Sequence, residues 1–229
     1  MKKIRQLLFK FLLRFVLAFV LLSLLIVVPF RWINPPVTMV MADRWLSSSN
    51  GDFKLKQHWL SWQDMPKRAA LAVVTSEDQR FPLHYGFDVD AIVSVLKSLG
   101  SGKQLRGAST ISQQVARNVY LWTGRSWVRK GLEAWFTLLI EVVWGKQRIL
   151  EVYLNIAEWG EGVFGVEAAS RYHFGISASQ LTNMQMALLA SSLPSPLKYD
   201  PAKPEHHLRV RARWNIKQQQ RLGGTRWLN

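Results

Sequence analysis

The sequence predicts a mainly α-helical protein with one N-terminal transmembrane helix. Residues 15–30 form a largely apolar run without any charge, and beyond residue 66 the apolar residues recur at helical spacing without the alternation that marks strands. Of the 229 residues, 48% are hydrophobic and 20% are charged, so the chain is too apolar to be a disordered polyelectrolyte. Cysteine is absent, which excludes disulfides, thiolate metal sites and thiol nucleophiles.

The apolar run indicates a retained membrane anchor. Residues 11–30 would form a helix about 30 Å long, which spans a bilayer core, and no small-residue cleavage site of a signal peptide closes the run. Five basic residues and no acidic residue stand at or before Arg14, whereas only Arg31 follows closely. The positive-inside rule therefore predicts a cytoplasmic N-terminus and a domain outside the cytoplasm.

The sequence divides the chain into four expected parts. They are a cytoplasmic basic tail (1–10), a transmembrane anchor (11–33), a juxtamembrane linker (34–59) and a helical domain (60–229). Two prolines, Pro35 and Pro36, break the anchor helix and start the linker. Trp45, Trp59 and Trp62 are equally consistent with a membrane interface and with a protein core.

The domain outside the membrane is basic. The chain has 30 basic and 15 acidic residues, and six of the basic ones precede residue 32, which leaves 24 against 15 in the rest. A translocated domain with this excess meets anionic lipid head groups and phosphorylated lipid carriers rather than nucleic acid. The charge balance thus favours membrane-side polyanions as partners.

Helices are expected over residues 66–76, 89–99, 110–121, 127–144, 146–156, 164–174, 178–192 and 208–221. Two helix starts fit the capping box, one from Thr110 to Gln113 and one from Ser177 to Gln180. Three glycines suit C-terminal caps: Gly100, Gly145 and Gly175.

Carboxylates are the candidates for the chemistry, because no HExxH zinc pattern accompanies the five histidines. Glu77 ends an apolar segment, where partial desolvation would raise its pKa toward that of a usable base; a solvated helix end is the simpler alternative. Arg129 and Lys130 precede Glu133 by four and three residues on one helical face. A surface salt bridge is the alternative there.

Two further features add polar groups. Arg148, Glu151 and Asn155 share a helical face within an apolar pattern, which predicts a buried network. The segment 100–107 holds three glycines and two cations, as expected of a mobile loop over an anionic ligand or of a plain solvated loop. Two carboxylates with several fixed cations suit transfer of a sugar from an anionic leaving group.

In their order along the chain, these motifs resemble the peptidoglycan glycosyltransferases of family 51, in the monofunctional biosynthetic form. The resemblance covers residues 60–205 and rests on the segments 77–86, 106–118, 129–133, 151–155 and 160–165. It implies a lysozyme-like fold of two lobes beside the membrane. The implied activity is polymerisation of lipid II into β-1,4 glycan strands, with inversion and release of polyprenyl pyrophosphate.

The resemblance also implies site residues. Glu77 would be the general base and Glu133 the second catalytic carboxylate, in the donor site, with residues 100–107 as a flap. Arg117, Lys130, Lys146 and Arg148 would be candidates for holding the donor pyrophosphate. The full implied substrate-binding set is Asp78, Phe81, His84, Ser109, Thr110, Gln113, Gln114, Arg117, Asn118, Arg129, Lys130, Lys146, Arg148, Glu151, Tyr153 and Asn155.

The expected partners are lipid II, the growing glycan strand, membrane lipids and cell-wall synthesis proteins, at the bacterial inner membrane with a periplasmic domain. The sequence identifies no cofactor and neither indicates nor excludes a divalent cation. Two alternatives remain at this stage. A membrane-anchored muramidase or lytic transglycosylase would also use an acidic residue in a helical cleft, and a non-enzymatic polyanion binder would leave Glu77 and Glu133 without a role.

Overall fold

The computed structural model describes residues 2–48, 53–98, 109–124 and 126–228, and in these parts the protein is mainly helical, as predicted. The helices are α1 (Lys2–Val27), α2 (Met39–Ser47), α3 (Lys67–Glu77), α4 (Val89–Ser98), α5 (Ile111–Tyr120), α6 (Trp127–Val143), α7 (Gly145–Ile156), α8 (Val166–Phe174), α9 (Asn183–Ser192) and α10 (His206–Arg221). The strands are β1 (Lys56–Gln57), β2 (Glu158–Gly160) and β3 (Val163–Phe164).

The N-terminal helix α1 is long and apolar enough to cross a membrane. Its last turns pack on α6, where the indole of Trp135 donates to Ser23 Oγ (3.0 Å) and that of Trp144 donates to the carbonyl of Val27 (2.9 Å). Arg148 of α7 donates to the carbonyls of Phe30 (3.1 Å) and Ile33 (2.9 Å) just beyond. The anchor is therefore fastened to the domain by side chains of α6 and α7.

The predicted linker, 34–59, contains α2 and β1. Thr38 caps α2 by accepting from the backbone N–H of Met41, and the helix packs against α5. Two of the three tryptophans noted in the sequence pack toward the core, and one does not. Trp45 is 64% exposed and Trp62 is buried, whereas Trp59 is partly buried against the core.

The helix expected over 178–192 is the one clear misassignment among the helices. The Ser177–Gln180 box forms, but only a 3₁₀ turn follows it, at Ala178–Gln180. The backbone then extends at Leu181, and α9 begins after Thr182, whose hydroxyl caps it together with Gln185. A second capping box thus competes with continuation of the helix. The Thr110 box at the start of α5 is confirmed.

The glycines proposed as caps have separate outcomes. Gly175 follows α8 in the left-handed conformation expected of such a cap, and Gly145 has a positive φ of 77° between α6 and α7. Gly100 lies outside the described residues, as does the whole segment 100–107.

Sequence periodicity missed a small sheet. Its strand order is β1-β3-β2, with β1 parallel and β2 antiparallel to β3. Strands of two or three residues are too short to show alternation. Gly165, which follows β3, has a φ of 86°, and a Cβ there would come within 2.8 Å of the Asn155 carbonyl oxygen. This glycine allows the sheet to approach the end of α7.

The core surrounds α3, α5 and α7, whose buried side chains include Val74, Val115 and Leu150. The last helix, α10, packs on α9 and α3. Its buried Asn215 donates to the carbonyl of Ala72 (2.8 Å) and to Ser76 Oγ (2.7 Å). These bonds secure the last turn of α3, where Glu77 lies.

Candidate active site

Glu77 is the last residue of α3, and its carboxylate is held from two other helices. Gln114 of α5 donates through Nε2 to Glu77 Oε2 (2.9 Å). The hydroxyl of Tyr153, on α7, donates in turn to Gln114 Oε1 (3.2 Å). The three side chains form one hydrogen-bonded series, so the orientation of the Glu77 carboxylate is fixed before any ligand binds.

Burial raises the pKa of Glu77 above its ordinary value, because desolvation disfavours the charged form, and the nearby charge of Asp78 acts in the same direction. The hydrogen bond from Gln114 and the charges of Arg211 and Arg117 oppose this shift without cancelling it. A carboxylate with a raised pKa is a stronger base once it is deprotonated. The local environment therefore suits Glu77 to proton abstraction.

Glu77 opens onto a first cavity of about 750 Å³. Arg117 of α5 and Ser109 line it together with Arg211 and Trp214 of α10. A site role for α10 was not predicted, because a basic helix with polar spacing is typical of a solvated or lipid-contacting segment. Only the packing of α10 on α3 brings Arg211 to the first cavity.

A second cavity, of about 480 Å³, adjoins the first, because Gln114, Arg117 and Leu193 line both. Its other lining residues are Val40, Arg44, Asn118, Trp122, Thr123, Gly124, Arg129, Tyr153, Ala157, Glu158 and Pro196. Three guanidinium groups, those of Arg44, Arg117 and Arg129, make this cavity the more basic of the two. It is suited to an anionic group.

Glu133 of α6 is buried and paired with two cations. Its Oε2 accepts from Arg129 Nη1 (2.9 Å), and its Oε1 contacts the Lys130 ammonium. Because Arg129 lines the second cavity, Glu133 connects to that cavity through the guanidinium. The predicted cluster on one helical face thus forms, and it is more than a surface salt bridge because Glu133 and Arg129 are largely shielded from solvent.

Asp78 and His84, predicted to bind substrate, are buried and engaged with each other, with His84 Nε2 2.9 Å from Asp78 Oδ1. Asp78 also accepts from the backbone N–H of Ile111 (3.0 Å) at the start of α5. Thr110 donates to the Gly86 carbonyl (2.6 Å), and Gln113 accepts from the Thr110 N–H (3.0 Å). These contacts tie the segment after α3 to the first turn of α5.

The structure does not bring Lys146 and Arg148 to the two cavities described above. Lys146 donates to Glu141 (2.7 Å) and lies over the ring of the fully buried Phe81. Arg148 pairs with Glu151 (3.2 Å) and holds the end of the anchor. The helical face that carries Arg148 turns toward the residues that follow the anchor, where Arg148 donates to the carbonyls of Phe30 and Ile33.

The polar network predicted on α7 does form. Asn155 is fully buried; it accepts from the Leu60 N–H (2.8 Å) and donates to the carbonyls of Leu60 and Glu151. Its bonds to Leu60 fix the chain before α3 against α7, and Arg148 and Glu151 form an ion pair one turn earlier on the same helix. Within the described residues, no group of three His, Asp or Glu side chains is arranged to hold a metal ion.

Comparisons with known proteins identify the family. A family model described as Transglycosylase matches residues 45–220. A protein of Pseudomonas aeruginosa named biosynthetic peptidoglycan transglycosylase is 52% identical over 230 residues, which cover 100% of this chain and 97% of that protein. Proteins of the same name from Pseudomonas entomophila and Pseudomonas putida are each 50% identical over 208 residues, covering 90% of this chain and 88% of their own length.

Proposed function

The chain belongs to the transglycosylase family, and from that premise we propose that it polymerises lipid II into peptidoglycan glycan strands with Glu77 as the general base. It is a peptidoglycan glycosyltransferase with a lysozyme-like, mainly α fold, and lipid II and the growing strand are its substrates. The mechanism is supported by the two adjoining cavities. The first contains the oriented carboxylate of Glu77, whose pKa is raised, and the second is lined by three guanidinium groups.

The proposed reaction is a single displacement. The 4-hydroxyl of the acceptor N-acetylglucosamine gives its proton to Glu77 as its oxygen forms a bond to C1 of the donor sugar. The bond from C1 to the pyrophosphate breaks at the same time, and the leaving oxygen takes the electron pair. Attack opposite an α-linked leaving group gives the β-1,4 linkage with inversion, so no covalent sugar intermediate forms.

The leaving group would be stabilised in the second cavity. Arg117 and Arg129 line it, and Lys130 extends from the same turn of α6 as Arg129. Since Glu133 already fixes Arg129, the cation needs little reorganisation when charge develops on the pyrophosphate. Glu133 therefore acts through placement and charge rather than through proton transfer. Lys146 and Arg148 have no part in this proposal.

The proposed topology is a single span with residues 1–10 in the cytoplasm and the domain in the periplasm, at the inner membrane. It is supported by the basic N-terminal flank and by the exposed apolar surface of α1. A reporter that works only outside the cytoplasm is expected to be active when fused to the C-terminus. Activity confined to a cytoplasmic reporter would contradict the topology and the use of lipid II on the outer face.

The purified full-length protein tests the function directly. Incubated with lipid II in detergent, it should yield glycan polymer and polyprenyl pyrophosphate, and it should leave finished cell wall intact. Cleavage of finished wall without polymer would favour the muramidase alternative. Binding of lipid II without any product would favour a polyanion-binding protein.

A further inference from the structure

The wall of the second cavity contains an ion pair that none of the sequence motifs includes. Arg44 of α2 donates through Nε (3.1 Å) and Nη2 (2.8 Å) to the same atom, Oε2 of Glu158 on β2. Both residues line the cavity. Arg44 thereby holds the Glu158 carboxylate through Oε2 alone, and Oε1 of Glu158 takes no part in the ion pair.

That other oxygen, Oε1 of Glu158, is buried and has no hydrogen-bond partner among the described residues. The Glu158 side chain is only 10% exposed. Buried polar atoms in folded proteins are nearly always hydrogen-bonded, so an unpaired carboxylate oxygen in a cavity wall indicates a partner that arrives with a ligand. The Nε atom of Arg129, in the same cavity, is likewise buried and unpaired across the described parts of the chain.

The surrounding groups indicate what that ligand presents. Glu158 with its unpaired acceptor and Arg129 with its unpaired donor line one cavity together with Asn118 and Trp122. The Trp122 side chain is 43% exposed, so an apolar ring face is accessible. A sugar ring with hydroxyl and acetamido groups offers donors and acceptors at its edge and C–H groups on its face, which matches this set.

We propose that Glu158 is a specificity residue for the glycan strand, accepting a hydrogen bond through Oε1 from a hydroxyl or acetamido N–H of a sugar ring, and that Arg44 positions it. The inference rests on the proposed function. In that reaction the incoming sugar is the acceptor, so the growing strand, which carries the pyrophosphate, is the donor. The second cavity is the donor side because Arg129, which Glu133 holds, lines it. Glu158 therefore helps retain the strand between additions.

The juxtamembrane segment thereby takes part in the site through Arg44. Arg44 lies on α2, one residue before the part of the chain that the family model matches. The helix is held on its other flank as well, where Asp43 contacts the Thr123 hydroxyl at the cavity wall. The segment between anchor and domain thus completes the second cavity.

The test compares strand lengths made by full-length variants in one lipid II assay. Glu158→Gln and Arg44→Gln are expected to shorten the mean strand up to about tenfold, because a charge-assisted bond to the donor is lost, and this shortening should exceed the accompanying fall in initial lipid II consumption. Arg171→Gln is the matched control. It removes an arginine from a buried glutamate, Glu167, on α8, away from both cavities.

Glu158→Asp is a second variant, which keeps the negative charge. Its side chain is one methylene shorter, so the carboxylate oxygen is withdrawn from the cavity. It should shorten strands too, and thermal unfolding should show all variants folded. Strands of wild-type length from Glu158→Gln and Glu158→Asp would overturn the inference, as would equal shortening by Arg171→Gln. A wild-type protein that makes no polymer would instead refute the proposed function.

Discussion

Replacing Glu77 with glutamine is expected to slow lipid II polymerisation by about 10²–10⁴-fold, the usual contribution of a general base, while lipid II still binds. Glutamine has nearly the size of glutamate, and its side-chain oxygen can still accept from Gln114 as Glu77 does now. The substitution removes basicity and leaves the shape of the first cavity unchanged. Initial rates of polymer formation and equilibrium binding of lipid II, measured on the same preparations, separate the two effects.

Glu161→Gln serves as the control for this experiment. Glu161 is exposed in the turn between β2 and β3, so its replacement changes the net charge equally without altering either cavity. It should retain the wild-type rate. Turnover of Glu77→Gln at the wild-type rate would end the assignment of Glu77 as base, and a trapped glycosyl-enzyme would contradict the single displacement.

Replacing Glu133 with glutamine is expected to lower polymerisation by about 10²–10³-fold, the range found when one preorganised electrostatic group of an active site is removed. The amide cannot neutralise Arg129 and Lys130 together, so Arg129 loses its fixed orientation at the second cavity. A lone cation in this partly desolvated position also weakens folding. The expected result is therefore slower donor use together with a lower midpoint of thermal unfolding.

The double variant Arg129→Ala with Glu133→Gln tests whether the two residues act together or contribute independently to polymerisation. If Glu133 acts by holding Arg129, the double variant should be little slower than the worse single variant, because interacting residues are not additive. Losses that multiply would show that Glu133 acts on the substrate independently of Arg129.

The local parts of this site could be predicted from the sequence, because short spacings determine them. Arg129, Lys130 and Glu133 lie within one turn and a half of helix, so a helical face brings them together whatever the rest of the chain does. The capping box at Thr110 is local in the same sense. Glu77 follows the apolar segment 69–74 after two hydroxyl residues, and its assignment as base came from the resemblance.

The other parts of the site depend on tertiary packing, which cannot be predicted from the spacing of residues along the chain. The resemblance implied Arg148 as a candidate for holding the pyrophosphate; in the structure its guanidinium donates to the Phe30 carbonyl, just beyond the anchor helix. Arg211 and Arg44 come from helices at the two ends of the chain, and only their docking beside α3 and β2 brings them to the cavities. In each case the arginine and the element that it packs beside are more than a hundred residues apart along the chain.

The central claim, that Glu77 is the ionising base, is tested most directly by the pH dependence of kcat/KM for lipid II in wild type and in Gln114→Leu. Activity requires deprotonated Glu77, so the rate should fall as pH drops through its pKa. In the wild type this acid limb should lie above 4.5, because burial raises the pKa of Glu77. In Gln114→Leu it should move to still higher pH, since the lost hydrogen bond favours the charged carboxylate. An acid limb at the same pH in both proteins would contradict the claim.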